Sequence, residues 1–210
     1  MIFNKHSELE GNHAILSPSG YSWLNYKNEE QFFKRFKASY MQAIGTSIHG
    51  LAKELIENKI RLNKNDKKIV TLHLIEDGIP RSIIEPEDWY DTLVAYVNDA
   101  IGFRMTPEVP LLYSPNAFGT TDAIAFRENV LRIHDLKTGV TPAKMDQLIL
   151  YAAYFCLEYK VKPKEIETHL RIYQSKEVLV LDPDPQDILD AMDQTILADK
   201  VIAKFRDQER

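Results

Sequence analysis

Cysteine is nearly absent: Cys156 is the only one in 210 residues. That excludes a disulfide framework and a cysteine-rich metal site within one chain, and it points to a reducing, cytoplasmic compartment. Long apolar runs are missing as well. The start, Met1 to Glu8, carries no apolar core, and no stretch of about 18 apolar residues exists. Neither a signal peptide nor a membrane span is expected. Basic excess is the third absence: 26 Lys and Arg stand against 31 Asp and Glu, a net charge of −5 with pI about 5.7. This rules out a strongly basic nucleic-acid coat, but not a nucleic-acid enzyme whose acids are offset by bound cations. Repeats and low-complexity tracts are lacking too. What is present is 44% hydrophobic and 27% charged residues, an ordinary globular composition with enough apolar material for a core.

The order of elements can be read from periodicity. His13 to Gly20 reads as a loop, with Ser17-Pro18 opening a turn. Met41, Ile44, Ile48, Leu51, Ala52 and Leu55 recur at helical spacing and predict a helix from about 38 to 59. Residues 61–84 are ambiguous, with strand propensity over Ile69 to Ile75. Pro86 suits the first turn of a helix reaching about Ala100. Strands are expected over 108–113, 118–126 and 130–137, with Arg127 to Asn129 as a hairpin connection. Thr141 and Pro142 look like the N-cap and first residue of a helix ending near Tyr159. Strands at 165–173 and 178–181 and a helix over 187–205 complete the chain. Helix, three strands, helix, strand is an α/β plan: a mixed central sheet flanked by helices.

The strand Val130–Lys137 carries the sharpest chemical signal. Side chains alternate across a strand, so Asp135 and Lys137 extend the apolar row of Leu131 and Ile133, while His134 faces the other way and reads as structural. Asp122 likewise shares a face with Ile124 and Phe126. Charges ending a buried row are costly unless paired or metal-bound. If the two strands are adjacent, Asp122 and Asp135 meet, and two close carboxylates repel unless a cation lies between them. Hard oxygen donors with few imidazoles suit Mg²⁺ or Mn²⁺. On these residues alone, a metal site and a structural ion pair both remain open.

Other features carry less by themselves. Met145, Leu148, Ile149, Ala152 and Cys156 form an apolar stripe that leaves Gln147 and Tyr151 off it, one turn apart. Gly45 lies one turn before His49 and opens space beside it. Lys34 to Lys37 and Lys160 to Lys164 are candidate phosphate contacts, though a solvated face is the better reading of each alone. Trp23 and Trp89 are expected in the core or an interface. Asp182, Asp184, Asp187, Asp190 and Asp193 lack a calcium-loop pattern and suit the N-terminal end of the last helix.

Taken together, Gly45-Thr-Ser-Ile-His49, Glu108, Gly119-Thr-Thr-Asp122, His134-Asp-Leu-Lys-Thr-Gly139 and Gln147-Leu-Ile-Leu-Tyr151 resemble the motifs of a known family. The family is the RecB-type branch of the PD-(D/E)XK nuclease superfamily, which includes phage exonucleases and CRISPR-associated RecB-like nucleases. The resemblance covers roughly residues 40–175. It implies a restriction-endonuclease-like αβββαβ core, here a single domain over 1–210 with an insertion around 61–104. It implies His49, Glu108, Asp122, Asp135 and the Leu136 carbonyl as metal ligands, with Asp122, Asp135 and Lys137 catalytic. Lys137 would orient or help activate the attacking water and steady the scissile phosphate, and Gln147 and Tyr151 would contact DNA or support the site. The implied activity is metal-dependent DNA hydrolysis, more exonuclease than sequence-specific endonuclease, in recombination, replication or repair. DNA is then the partner, with a homo-oligomer or a recombination protein as possible company. The chain departs from many relatives where Asn25 and Tyr26 follow Trp23 in place of an early cysteine. One cysteine also excludes an iron–sulfur cluster on ligand count. The alternative reading is a catalytically silent nuclease fold that binds DNA or protein.

Overall fold

The structure is a computed structural model that describes Ser7 and residues 14–208; His13, the first residue of the expected loop, lies outside them. The chain divides into two compact units, Met1–Ile44 and Gly45–Arg210.

In the first unit a 3-10 turn spans Pro18–Asn25, and the indole of Trp23 donates to the Ser17 carbonyl at 3.2 Å. Helix α1, Glu29–Glu57, begins here, nine residues before its expected start. Apolar spacing becomes helical only from Met41, so periodicity missed the first turns. Capping starts them: the Asn28 side chain accepts from the Gln31 amide at 3.0 Å, and the Gln31 side chain accepts from Lys27 at 2.6 Å. Glu29 and Glu30 favour the positive helix end. Lys34 is paired with Glu30 at 2.6 Å, as a solvated helix face requires.

The second unit is built on a five-stranded sheet in the order β1-β2-β3-β4-β5: Thr106–Ser114, Ala117–Arg127, Val130–Lys137, Glu167–Gln174 and Glu177–Leu181. β3 and β4 run parallel and every other pair antiparallel, so the sheet is mixed, as expected. Two hairpins are closed by pairs of residues at positive φ, Glu128-Asn129 and Ser175-Lys176, the form that matches strand twist. The parallel pair needs a crossover, and helix α4, Asp146–Tyr159, provides it.

Helices cover both faces. α4 packs on the sheet through Leu148, Ala152, Ala153, Phe155 and Cys156, against Leu111, Ile124, Leu131, Ile133, Leu170 and Ile172. Helix α3, Tyr90–Gly102, lies against β3 and β4, and Trp89 before it is buried. Helix α5, Pro185–Gln208, packs on α4. Asp184 accepts from the Gln186 amide at its start, whereas Asp182, expected to serve the same helix end, pairs with His169 at 2.6 Å. No described helix is long and apolar enough to cross a membrane.

Three further segments differ from expectation. Pro86 opens a separate 3-10 turn, Pro86–Asp88, and α3 starts only at Tyr90. Residues 67–76 form helix α2, not a strand. Its β-branched residues favour extended backbone, but Val70, Thr71 and Leu74 bury one helical face, and that burial outweighs a weak propensity. α4 starts at Asp146, four residues after Pro142. The side chain of Gln174 explains the delay: its Nε2 donates to the Gly139 and Thr141 carbonyls, and its Oε1 accepts from the Ala143 amide. Those bonds hold 139–143 out of the helix and form a fixed loop directly after Lys137.

Candidate metal centre

The site forms where β2 and β3 part. Their ladder ends at Ala123 opposite His134. One residue further, the Asp122 carboxylate replaces the backbone acceptor and takes the Leu136 amide at 2.7 Å. Leu136 thus enters the site through its N–H. The Asp122 carboxylate is pinned by the same strand that carries Asp135 and Lys137.

His49, Glu108 and Asp122 come together from α1, β1 and β2, with one ligand atom of each within 4.8 Å of the others. His49 Nδ1 lies 3.6 Å from Asp122 Oδ1. Glu108 occupies the stretch of β1 between the pairs Pro107–Ala123 and Val109–Thr121, and its φ is +52°. A left-handed conformation for a residue with a side chain costs roughly 1–3 kcal/mol, and such strain concentrates at functional sites. Nothing in the residues around Glu108 announces that conformation.

Asp135 stands beside this group and is only 3% exposed. Lys137 Nζ donates to Asp135 Oδ1 at 3.0 Å and to Gln147 Oε1 at 3.0 Å. Asp135 Oδ2 lies 2.9 Å from the same ammonium but outside hydrogen-bond geometry, so this buried oxygen has no donor. Such an oxygen is costly unless something satisfies it.

Gln147 and Tyr151 both turn inward. Gln147 receives Lys137, and the Tyr151 hydroxyl donates to the Thr120 carbonyl at 2.7 Å, two residues before Asp122. Gly119 lets the ring in: a Cβ there would sit 3.0 Å from Tyr151 Cε1. At Gly45 a Cβ would meet Thr138 Oγ1 at 3.2 Å, so this glycine brings α1 close to the loop after Lys137 rather than clearing space beside His49.

The electrostatics follow from crowding. Burial raises the Asp135 carboxyl above the usual range, and repulsion from Asp122 adds to it, against the pull of Lys137. Burial and Asp122 raise Glu108 in the same way. Burial works against a charged His49, yet its hydrogen bond to Asp122 and the charges of Asp122, Asp135 and Glu108 outweigh this and raise it. Burial comes first in raising Asp135 and Glu108, and nearby negative charge acts in the same direction on all three groups. A divalent cation would answer that charge. Oxygen donors, one imidazole and the unsatisfied Asp135 Oδ2 fit Mg²⁺ or Mn²⁺.

A cavity of about 520 Å³ opens over the group, lined by Gly45, Thr46, His49, Gly50, Lys53, Glu108 and Asp122. Gly50 and Lys53 escaped the reading of the sequence, and Thr46 entered it only within the Gly45–His49 motif, with no role of its own. The signal was available: they lie at −3, +1 and +4 from His49, on one side of the same helix.

No curated protein matches the chain's sequence. Among solved structures, the crystal structure of SSO0001 is similar at 13% identity, over 70% of this chain and 84% of that one, with a TM-score of 0.31. A family described as a protein of unknown function, DUF2800, matches residues 13–175. That span is most of the chain, and the chain belongs to the DUF2800 family.

Proposed function

We propose that this chain is a divalent-metal-dependent deoxyribonuclease with a PD-(D/E)XK core, acting as an exonuclease in DNA recombination, replication or repair. One observation carries the reading: His49, Glu108 and Asp122 converge within 4.8 Å beside the buried Asp135 and its partner Lys137. The order α1, β1, β2, β3, α4, β4, with α2 and α3 between α1 and β1, is compatible with that core.

His49, Glu108, Asp122 and Asp135, with the Leu136 carbonyl, would hold Mg²⁺ or Mn²⁺. Bound there, the cation supplies a hydroxide nucleophile at neutral pH and offsets charge on the reacting phosphate. The chain's own groups set the geometry. The Leu136 amide fixes the Asp122 carboxylate. Asp135 and Gln147 hold the Lys137 ammonium in one place, where it orients the attacking water as a compact point charge. Tyr151 ties α4 to β2 next to Asp122 and keeps Gln147 in reach of Lys137.

The test is hydrolysis of end-labelled linear and circular DNA by the full chain during a Mg²⁺ and Mn²⁺ titration. Metal-dependent shortening of linear DNA is expected, with Asp122→Ala and Lys137→Ala reducing it by about a thousandfold, the upper range for losing one group that stabilises charge in a transition state. Equal degradation by all three proteins rejects the assignment, and tight metal-independent DNA binding without cleavage favours a silent binding module.

A further inference from the structure

Lys137 spends two of its three donors within the site and does not line the cavity that opens over it. An ammonium has three donors. One goes to Asp135 Oδ1 and one to Gln147 Oε1, while Asp135 Oδ2 lies 2.9 Å from the same nitrogen. The lysine is committed to ordering the site. A phosphodiester chain entering the cavity carries further negative charge and meets His49, Glu108 and Asp122 at its lining. The lysine that lines the cavity is Lys53.

Lys53 is exposed, and its charge acts on Glu108 without a hydrogen bond or close ion pair to any described residue. It stands one helical turn from His49, about 6 Å along α1. Thr46, His49, Gly50 and Lys53 follow the spacing i, i+3, i+4, i+7 and all line the cavity, so they form a single stripe. The stripe is open at Gly50, where a Cβ would have nothing within 4 Å. A hydroxyl, an open patch and a free ammonium in a row suit a sugar–phosphate backbone lying along the helix. The backbone would pass the acidic group with one phosphate and reach the lysine with the next.

We infer that Lys53 binds a substrate phosphate adjacent to the one cleaved, making the Thr46–Lys53 face of α1 the track along which the DNA strand lies. This rests on the nuclease reading above and extends it to how the substrate is held. Lys53 then contributes to affinity and not to bond breaking.

The experiment compares wild type, Lys53→Gln and Lys53→Arg as full chains. Binding of a short fluorescent oligonucleotide in Ca²⁺ is read by anisotropy across a salt series, and its cleavage in Mn²⁺ is read separately. For Lys53→Gln, affinity is expected to fall about tenfold, the slope of log affinity against log salt to shrink by about one ion, and KM to rise with kcat changed less than twofold. Lys53→Arg should restore most of the affinity. An unchanged salt slope in Lys53→Gln, or a loss confined to kcat, overturns the assignment of Lys53 while leaving the nuclease reading intact. Absence of metal-dependent cleavage in the wild type sinks the nuclease reading, and the Ca²⁺ binding series still decides Lys53. A wild type that fails to bind the oligonucleotide at all contradicts both.

Discussion

His134 and Asp135 are neighbours on β3 and meet opposite environments. On the Asp135 side the charged groups are mainly acids, namely Glu108, Asp122 and Asp135, with one lysine already committed. On the His134 side the excess is basic, with Arg132 and Arg171 set against the carboxylate of Asp99. Asp99 Oδ2 accepts from Arg171 at 3.0 Å and from the Tyr173 hydroxyl at 2.7 Å. Because that hydroxyl gives its hydrogen to Asp99, His134 Nδ1 donates to it at 3.2 Å. Arg132 and Arg171 stack over the Phe103 ring at 5.1 and 4.9 Å. Burial first, then Arg171 and Arg132, push His134 down to about 3, while the acids on the other side raise His49. The basic side spreads its charge over the Phe103 ring and the Asp99 hydrogen bonds. The acidic side crowds carboxylates that a cation from outside would partner, and that crowding marks the candidate site better than the identity of any one residue.

The largest effect that separates the two sides is on acid stability. The folded pKa of His134 lies below its unfolded value, so its contribution to stability is complete above about 6.5 and is lost as pH falls toward about 3. By pH 4 the loss is about 3 kcal/mol, at roughly 1.4 kcal/mol for each pH unit. Urea unfolding at pH 7, 5.5 and 4 should show it. A His134→Asn variant should show a flatter fall, and an equally steep one removes His134 as the cause.

The next contrast pairs a loss of activity with a loss of stability. Gln147→Ala frees Lys137 from α4 and should lower metal-dependent cleavage about 10- to 100-fold with little change in melting temperature, the usual range for a group supporting a metal site. Tyr173→Phe should do the reverse. Losing the hydroxyl between Asp99 and His134 should cost about 1 kcal/mol in urea unfolding and leave cleavage near wild type. If Tyr173→Phe cuts cleavage as deeply as Gln147→Ala, the two sides are one functional unit and the comparison fails.

How much of this was legible in the sequence depends on whether a signal is local. β3 was readable to the residue, because eight residues state both their alternation and the charges that end it. The facing of Asp122 and Asp135 followed once β2 and β3 were taken as adjacent. The α2 segment was not, since its β-branched composition and its buried helical face point to different structures and only packing decides between them. The start of α4 depended on Gln174, some 30 residues away in sequence, clamping 139–143. The left-handed φ of Glu108 is a tertiary property with no local trace. Lys53 was the avoidable omission, because it stands one helical turn from a histidine already singled out.

The central claim is that these acids and His49 form a cation site, and calorimetric titration of Mn²⁺ into the metal-free chain at neutral pH tests it most directly. Saturable binding is expected, and its loss in a Glu108→Gln, Asp122→Asn double variant that keeps the wild-type circular dichroism. Mn²⁺ heats that are the same in wild type and the double variant, or absent from both, would contradict the account.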